Sequence, residues 1–213
     1  MVDLVVFSQK TEYKVGFPTS WDEISFKKYN LLQNAIKNKL SKFEIISVLT
    51  GLDVIVLKNM IASEFELLEV LFYDLFNKKL NISNSVSYLN IGNRKIKCLD
   101  VDEITAAQYE DIKSILAKQT GDDISFYPLM IAIALFYKYY SNEEYDYKKA
   151  ILLSEKIDDI SCEKIISYGN FFLTNLTSLK NGTLQTCRKR NLLLKRLGLV
   201  LKKLQKGLGL FTK

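Results

Sequence analysis

The chain contains no histidine. That excludes Ser-His-Asp and Cys-His nucleophilic sites, H-E-x-x-H zinc sites and any imidazole proton relay. Cysteine is scarce as well. Cys98, Cys162 and Cys187 are odd in number, far apart and without a C-x-x-C pair. Neither a disulfide framework nor a zinc site is expected, and a reducing compartment is the natural setting for synthesis. Long apolar runs are missing too. Ile165–Leu179 and Ile124–Tyr137, the most extended uncharged stretches, fall short of the about 20 residues a membrane-crossing helix needs. Met1–Phe7 has an acid near its start and too few apolar residues for a signal peptide. No G-x-x-x-x-G-K-[S/T] occurs, and no G-x-G-x-x-G follows a strand. Gly207-Leu208-Gly209 has nothing after it to cradle a phosphate.

What remains is globular. The 213 residues are 48% hydrophobic and 25% charged, enough for a full core in one domain or two small ones. The charge is segregated. Residues 181–213 hold nine basic residues and no acid, and the total of +6 less these nine leaves −3 on the first 180 residues.

Asp22-Glu23-Ile24-Ser25-Phe26-Lys27-Lys28-Tyr29 returns as Asp102-Glu103-Ile104-Thr105-Ala106-Ala107-Gln108-Tyr109. Both copies read D-E-I-[S/T]-x-x-x-Y and both follow a β-type stretch. The pattern is a helix start, with Ser25 or Thr105 capping the first turn and Ile24 or Ile104 clamping onto Tyr29 or Tyr109. Gln108 completes a capping box with Thr105, which Lys28 cannot do with Ser25. The repeat points to a duplicated unit. The other reading is one α+β domain with two incidental hairpins, because acids and caps commonly open helices.

Along the chain, residues 3–17 read as a hairpin ended by Pro18, and a helix follows from Ser25 to Lys37. Ser41-x-x-Glu44 is a capping box for a helix ending near Gly51. Ser63-x-x-Glu66 opens another, with Leu67, Leu68, Val70, Leu71, Leu75 and Phe76 spaced for a broad buried face. Val86–Ile91 and Arg94–Leu99 flank Gly92-Asn93, a two-residue hairpin signal. Helices follow from Thr105 to Lys118, from Pro128 in a first turn through Tyr140, and from Ser161 to about Leu179. The expected class is α+β, predominantly α-helical: unit 1 over residues 1–80, unit 2 over residues 81–180, and a basic amphipathic segment over residues 181–213.

No catalytic constellation emerges. Glu144-Tyr145-Asp146-Tyr147-Lys148 carries the E-x-K end of a metal-dependent nuclease site, but no strand brings the further Asp, and a solvated connection explains it. Asp122-Asp123 and Asp158-Asp159 precede expected helices, where acids complement the helix dipole. Phe126, Tyr127, Phe136, Tyr137, Tyr139 and Tyr140 fit core packing or a subunit contact better than base stacking, and Trp21 reads as a core anchor. No cofactor, no metal and no enzymatic activity are expected.

The C-terminal segment is where the pattern suggests a partner. At about 100° per residue, Leu193, Leu194, Leu197, Val200, Leu201 and Leu204 share one arc. Arg188, Lys195, Arg196, Lys202, Lys203 and Lys206 occupy the opposite one. The leucine arc suits docking on the body or a sister subunit, with Leu193, Leu197, Val200, Leu201 and Leu204 as contacts. Alternatively, Arg188, Lys195, Arg196, Lys202 and Lys203 could follow nucleic-acid phosphates, or the helix could lie on an anionic membrane.

Pro18-Thr19-Ser20-Trp21-Asp22-Glu23-Ile24-Ser25, then Ser47-Val48-Leu49-Thr50-Gly51-Leu52, then Phe65-Glu66-Leu67-Leu68-Glu69-Val70-Leu71-Phe72 resembles a small helical family of tailed bacteriophages. That family includes tail-assembly chaperones and related morphogenesis or virion proteins, among them proteins of crAss-like phages. Phe171-Phe172-Leu173 with Leu179-Lys180-Asn181-Gly182-Thr183 is similar to the end of such sequences. The resemblance spans residues 14–77 and, loosely, 160–183. It implies a non-enzymatic protein of the virion or host cytoplasm, binding other phage structural or assembly proteins or itself. The hairpin repeat and the basic segment are departures from the family pattern. The alternative function is nucleic-acid binding through the basic segment.

Overall fold

The computed structural model describes residues 1–83, 86–99, 103–121, 123–141 and 143–183. The fold is α+β and predominantly helical, with two small two-stranded antiparallel sheets among the described residues. The chain divides into two compact units. Met1–Ile82 with Asp158–Glu163 forms unit 1, and the described residues of Ser83–Ile157 with those from Lys164 onward form unit 2.

In unit 1, β1 (Val2–Ser8) pairs with β2 (Thr11–Phe17) so that Leu4 faces Val15 and Val6 faces Tyr13. Val6, Ser8, Val15 and Phe17 are buried, whereas Val5 and Phe7 point outward and are exposed, as period-2 alternation requires. Gln9 and Lys10 turn the chain with φ of 57° and 109°. The far end of β1 is held sideways: Ser8 bridges to Met60, and its Oγ donates to the Val56 carbonyl at 2.9 Å.

A single 3-10 turn at Trp21–Glu23 leads into α1 (Phe26–Lys37). Ser25 caps it, its hydroxyl accepting from the Lys28 amide. Phe26, Tyr29, Leu32 and Ala35 form its buried stripe. Trp21 anchors the turn. Its indole N–H donates to the Lys78 carbonyl at 2.8 Å, and its ring meets Tyr29 and Phe76 edge-on, with centroids 6.0 and 5.2 Å away. Next, α2 (Lys42–Thr50) opens with the Ser41–Glu44 capping box and stops at Gly51, whose φ of 76° suits glycine. Two features were not expected from the sequence. A short helix α3 (Val54–Lys58) is capped by Asp53, and α4 (Ala62–Asn77) begins early enough that Ser63 lies inside it, while Ile61 holds the cap position without a side-chain bond.

Unit 1 is completed by residues 158–163. Ser25 pairs with Ser161 in an isolated antiparallel bridge, the Phe26 amide donating to the Ile160 carbonyl and the Cys162 amide to the Ile24 carbonyl, both at 2.8 Å. Each donor is the first residue of a helix, so each helix start satisfies an amide that its own first turn leaves free. The Ser161 hydroxyl donates to Asp22 at 2.8 Å. Asp158-Asp159-Ile160-Ser161 thus meets its near-copy Asp22-Glu23-Ile24-Ser25.

In unit 2, β3 (Tyr88–Ile91) and β4 (Arg94–Lys97) are shorter than the expected strands and pair across Gly92-Asn93, with Gly92 at φ 57°. Asp100, Val101 and Asp102 lie outside the described residues. Helix α5 (Ala106–Lys118) starts on the Thr105–Gln108 capping box. Pro128 sits in the first turn of α6 (Tyr127–Tyr139), where its missing N–H costs nothing, and buried residues surround this helix as on a central one. The sequence pattern did not reveal α7 (Tyr147–Asp158), which buries Ala150, Leu153 and Ile157. Its last residue is Asp158, so this acid ends one helix rather than simply preceding the next. Helix α8 (Cys162–Thr183) closes the described chain. Within unit 2 its Gly169 packs against Tyr127, and the Tyr168 hydroxyl bonds both the amide and carbonyl of Leu99, at 3.2 and 3.4 Å.

Candidate functional site

The residues that the sequence pattern proposes for partner binding (Leu193, Leu197, Val200, Leu201, Leu204) and for phosphate contact (Arg188, Lys195, Arg196, Lys202, Lys203) lie outside the described residues. The described part of the chain offers a different surface, on α4 in unit 1. The expected broad buried face is corrected there. Leu68 and Leu75 alone are fully buried, Leu71 and Phe76 are half-buried, and Leu67 and Val70 are exposed. The helix is apolar nearly all round, so periodicity could not tell which stripe the neighbouring helices cover.

The uncovered stripe is coherent. Leu67, Val70 and Tyr73 are 46%, 56% and 49% exposed. At about 100° per residue they share an arc of about 120° with Glu66 and Asp74. Val70 lies near its centre, and both acids are exposed. Ala62–Asn77 contains Glu64, Glu66, Glu69 and Asp74 and neither lysine nor arginine. Two of these acids are engaged. Glu64 accepts from the Phe7 amide, and Glu69 pairs with Lys42 at 2.7 Å. The Glu69 carboxylate raises the Lys42 pKa, and this ammonium lies 5.9 Å from the Tyr73 ring centroid. No cation among the described residues pairs with Glu66 or Asp74. The result is an apolar stripe edged by negative charge that no described cation pairs, suited to a partner that is apolar and basic.

The segment with nuclease-like spacing resolves into helix-start chemistry. Asp146 accepts from the amides of Lys148 and Lys149 at 2.8 and 3.4 Å, and Glu143 pairs with Lys149 at 2.6 Å. An open hollow of about 640 Å³ lies over Glu143, Glu144, Asp146 and Lys149. Among the described residues no three His, Cys, Asp or Glu side chains are grouped to hold a metal ion. Most of the aromatic cluster is packed inside, with Tyr137 and Tyr140 half-buried. Phe126, Tyr127, Phe136 and Tyr139 are buried, and Tyr145 stands edge-on to Phe136 while donating to Asp111 at 2.6 Å. Burial, with that bond adding, pushes the Tyr145 hydroxyl far above the usual tyrosine range.

The Pro18–Ser25 turn that carries the resemblance is held by Glu23. Its carboxylate accepts from the Met1 ammonium and from the Thr19 amide and hydroxyl, the latter two at 2.6 and 3.1 Å. The ammonium, then the Thr19 amide, hold this carboxyl down at about 2. The polar groups of this turn thus hold the chain locally. No helix among the described residues is long and apolar enough to cross a membrane. No protein-family model matches the chain significantly, and no curated protein or solved structure does so either.

Proposed function

We propose that this chain is a non-enzymatic morphogenesis protein of a tailed bacteriophage, acting through protein–protein contacts in tail or head–tail assembly or as a virion component. The observation that carries the reading is the Pro18–Ser25, Ser47–Leu52 and Phe65–Phe72 series, which resembles phage tail-assembly chaperones and their relatives. The uncovered apolar stripe of α4 supports it, since an assembly protein works by burying such surface against a partner. The setting is the host cytoplasm during assembly, and the virion if the protein is retained. The test is in-cell cross-linking of the tagged full chain during infection, with mass spectrometry of both the captured proteins and purified particles. Phage tail, head or connector proteins among the cross-linked species support the reading. Cross-links confined to nucleic acid would overturn it.

A second reading rests on the segregated charge: nine basic residues and no acid over residues 181–213. In that reading the segment follows nucleic-acid phosphates, and binding weakens steeply with salt.

A further inference from the structure

The uncovered face of α4 and the basic C-terminal segment are complementary in three respects. The first is width: Leu193, Leu194, Leu197, Val200, Leu201 and Leu204 would span an arc of about 120° on a helix, as does the exposed stripe of α4. The second is apolar content, since Leu67, Val70 and Tyr73 stand about half exposed and offer the leucines a surface to cover. The third is charge. The α4 stripe carries Glu66 and Asp74, which no cation among the described residues pairs, on a helix without a basic residue. Residues 181–213 carry nine cations and no acid.

We propose that the α4 face centred on Val70 is the docking site for the basic amphipathic segment, residues 188–206, of a second copy of this chain. This rests on the reading of the chain as an assembly protein and names its first partner. The contact is heterologous, because the two surfaces differ. Every copy then carries one donor segment and one acceptor face, and the product is a ring or an open row of subunits rather than a self-limiting twofold dimer. Burial of the leucine arc holds the contact, while the acids of α4 set its register and disfavour acidic partners.

Charge exchange tests this on the full chain. One variant carries Glu66→Lys and Asp74→Lys, and the other carries Lys195→Glu and Lys202→Glu. Glu66 and Asp74 are exposed and pair with no cation among the described residues, so the first variant should fold; matching circular dichroism and thermal unfolding check this for both. Sedimentation velocity of the wild type should show association that increases with concentration. Each variant alone should associate at least tenfold more weakly, and an equimolar mixture should regain association, because each reversed surface then meets its reversed complement on the other molecule. Three results would overturn the inference: a wild type that stays monomeric, variants that associate as the wild type does, or a mixture that stays dissociated. The first is also what folding of the segment back onto its own chain would give. None of these would touch the proposed function if the full chain still cross-links to other phage structural proteins. Loss of those cross-links with self-association intact would remove the function and leave this interface standing.

Discussion

Lys28 and Gln108 occupy the same position in the two D-E-I-[S/T] copies, and each reaches out of its own helix to a backbone carbonyl of a following one. The Lys28 ammonium donates to Leu49 in α2 at 2.9 Å, and the Gln108 carboxamide donates to Ile133 in α6. The buried positions after them also correspond, Leu32 with Ile112 and Ala35 with Ile115. The two units therefore share a cap, a reach from the third helical residue and a packing stripe. This supports duplication, which predicts that Lys14–Lys37 superposes on Arg94–Ala117. Hairpins entering the two helices in unrelated directions would count against it.

Thr105→Ala removes the oxygen that accepts from the Gln108 amide, and with it half of the capping box. The expected cost is about 1 kcal/mol, read as a lower urea midpoint with an unchanged slope. Gln108→Ala should cost more, because the buried carboxamide bonds both Thr105 and Ile133 and its removal also leaves a cavity. An unaltered midpoint in Thr105→Ala would contradict the cap.

Gly169→Ala should destabilise the protein although alanine is the better helix former. A Cβ at Gly169 would lie 2.2 Å from a Tyr127 ring carbon, and the Tyr127 hydroxyl is tied to Asn170 at 2.6 Å, so the ring cannot simply swing away. The overpacking penalty of about 1–3 kcal/mol outweighs the about 1 kcal/mol gained in helix propensity. Thermal unfolding of the variant checks this, and a raised midpoint would contradict the close approach of Gly169 to Tyr127.

High pH should loosen unit 1. Burial, with Cys162 adding, pushes the Tyr29 hydroxyl from 10.0 up to about 12. Burial, with Glu163 adding, pushes the Cys162 thiol from 9.0 up to about 12. Both groups hold their protons more tightly when folded. Their contribution is therefore complete below about pH 9, and stability falls as pH rises toward about 12, where the unfolded chain binds fewer protons. Urea midpoints should fall between about pH 8 and about pH 11, and Cys162→Ala should make that fall shallower. A flat profile would contradict this.

Local signals were the most legible in the sequence. Ser41 with Glu44, Thr105 with Gln108, Gly51 at a helix end and Gly92-Asn93 at a turn each act within four residues, and each does so in the structure. Signals set by tertiary packing were not. The short helix at Val54–Lys58 has too few turns to display a period, and α7 hides its stripe of Ala150, Leu153 and Ile157 among charged residues. Which side of α4 stays uncovered depends on neighbours that local pattern does not name. The pairing of Ser25 with Ser161 joins segments remote in sequence, although the echo of D-E-I-S in D-D-I-S was there to be read.

The central claim is that the chain acts by burying apolar surface against protein. It is tested most directly by capture of protein partners, a second copy included, by the full chain at varied salt, comparing Leu197→Asp with joint neutralisation of Lys195, Arg196, Lys202 and Lys203. Burying each leucine contributes about 1.5–3 kcal/mol, so Leu197→Asp should abolish capture, while neutralisation should leave it largely intact and only modestly salt-dependent. The contrary result is capture that survives Leu197→Asp, together with DNA or RNA binding whose log K against log salt slope flattens, on neutralisation, by about 0.7–0.9 for each phosphate the segment no longer reaches.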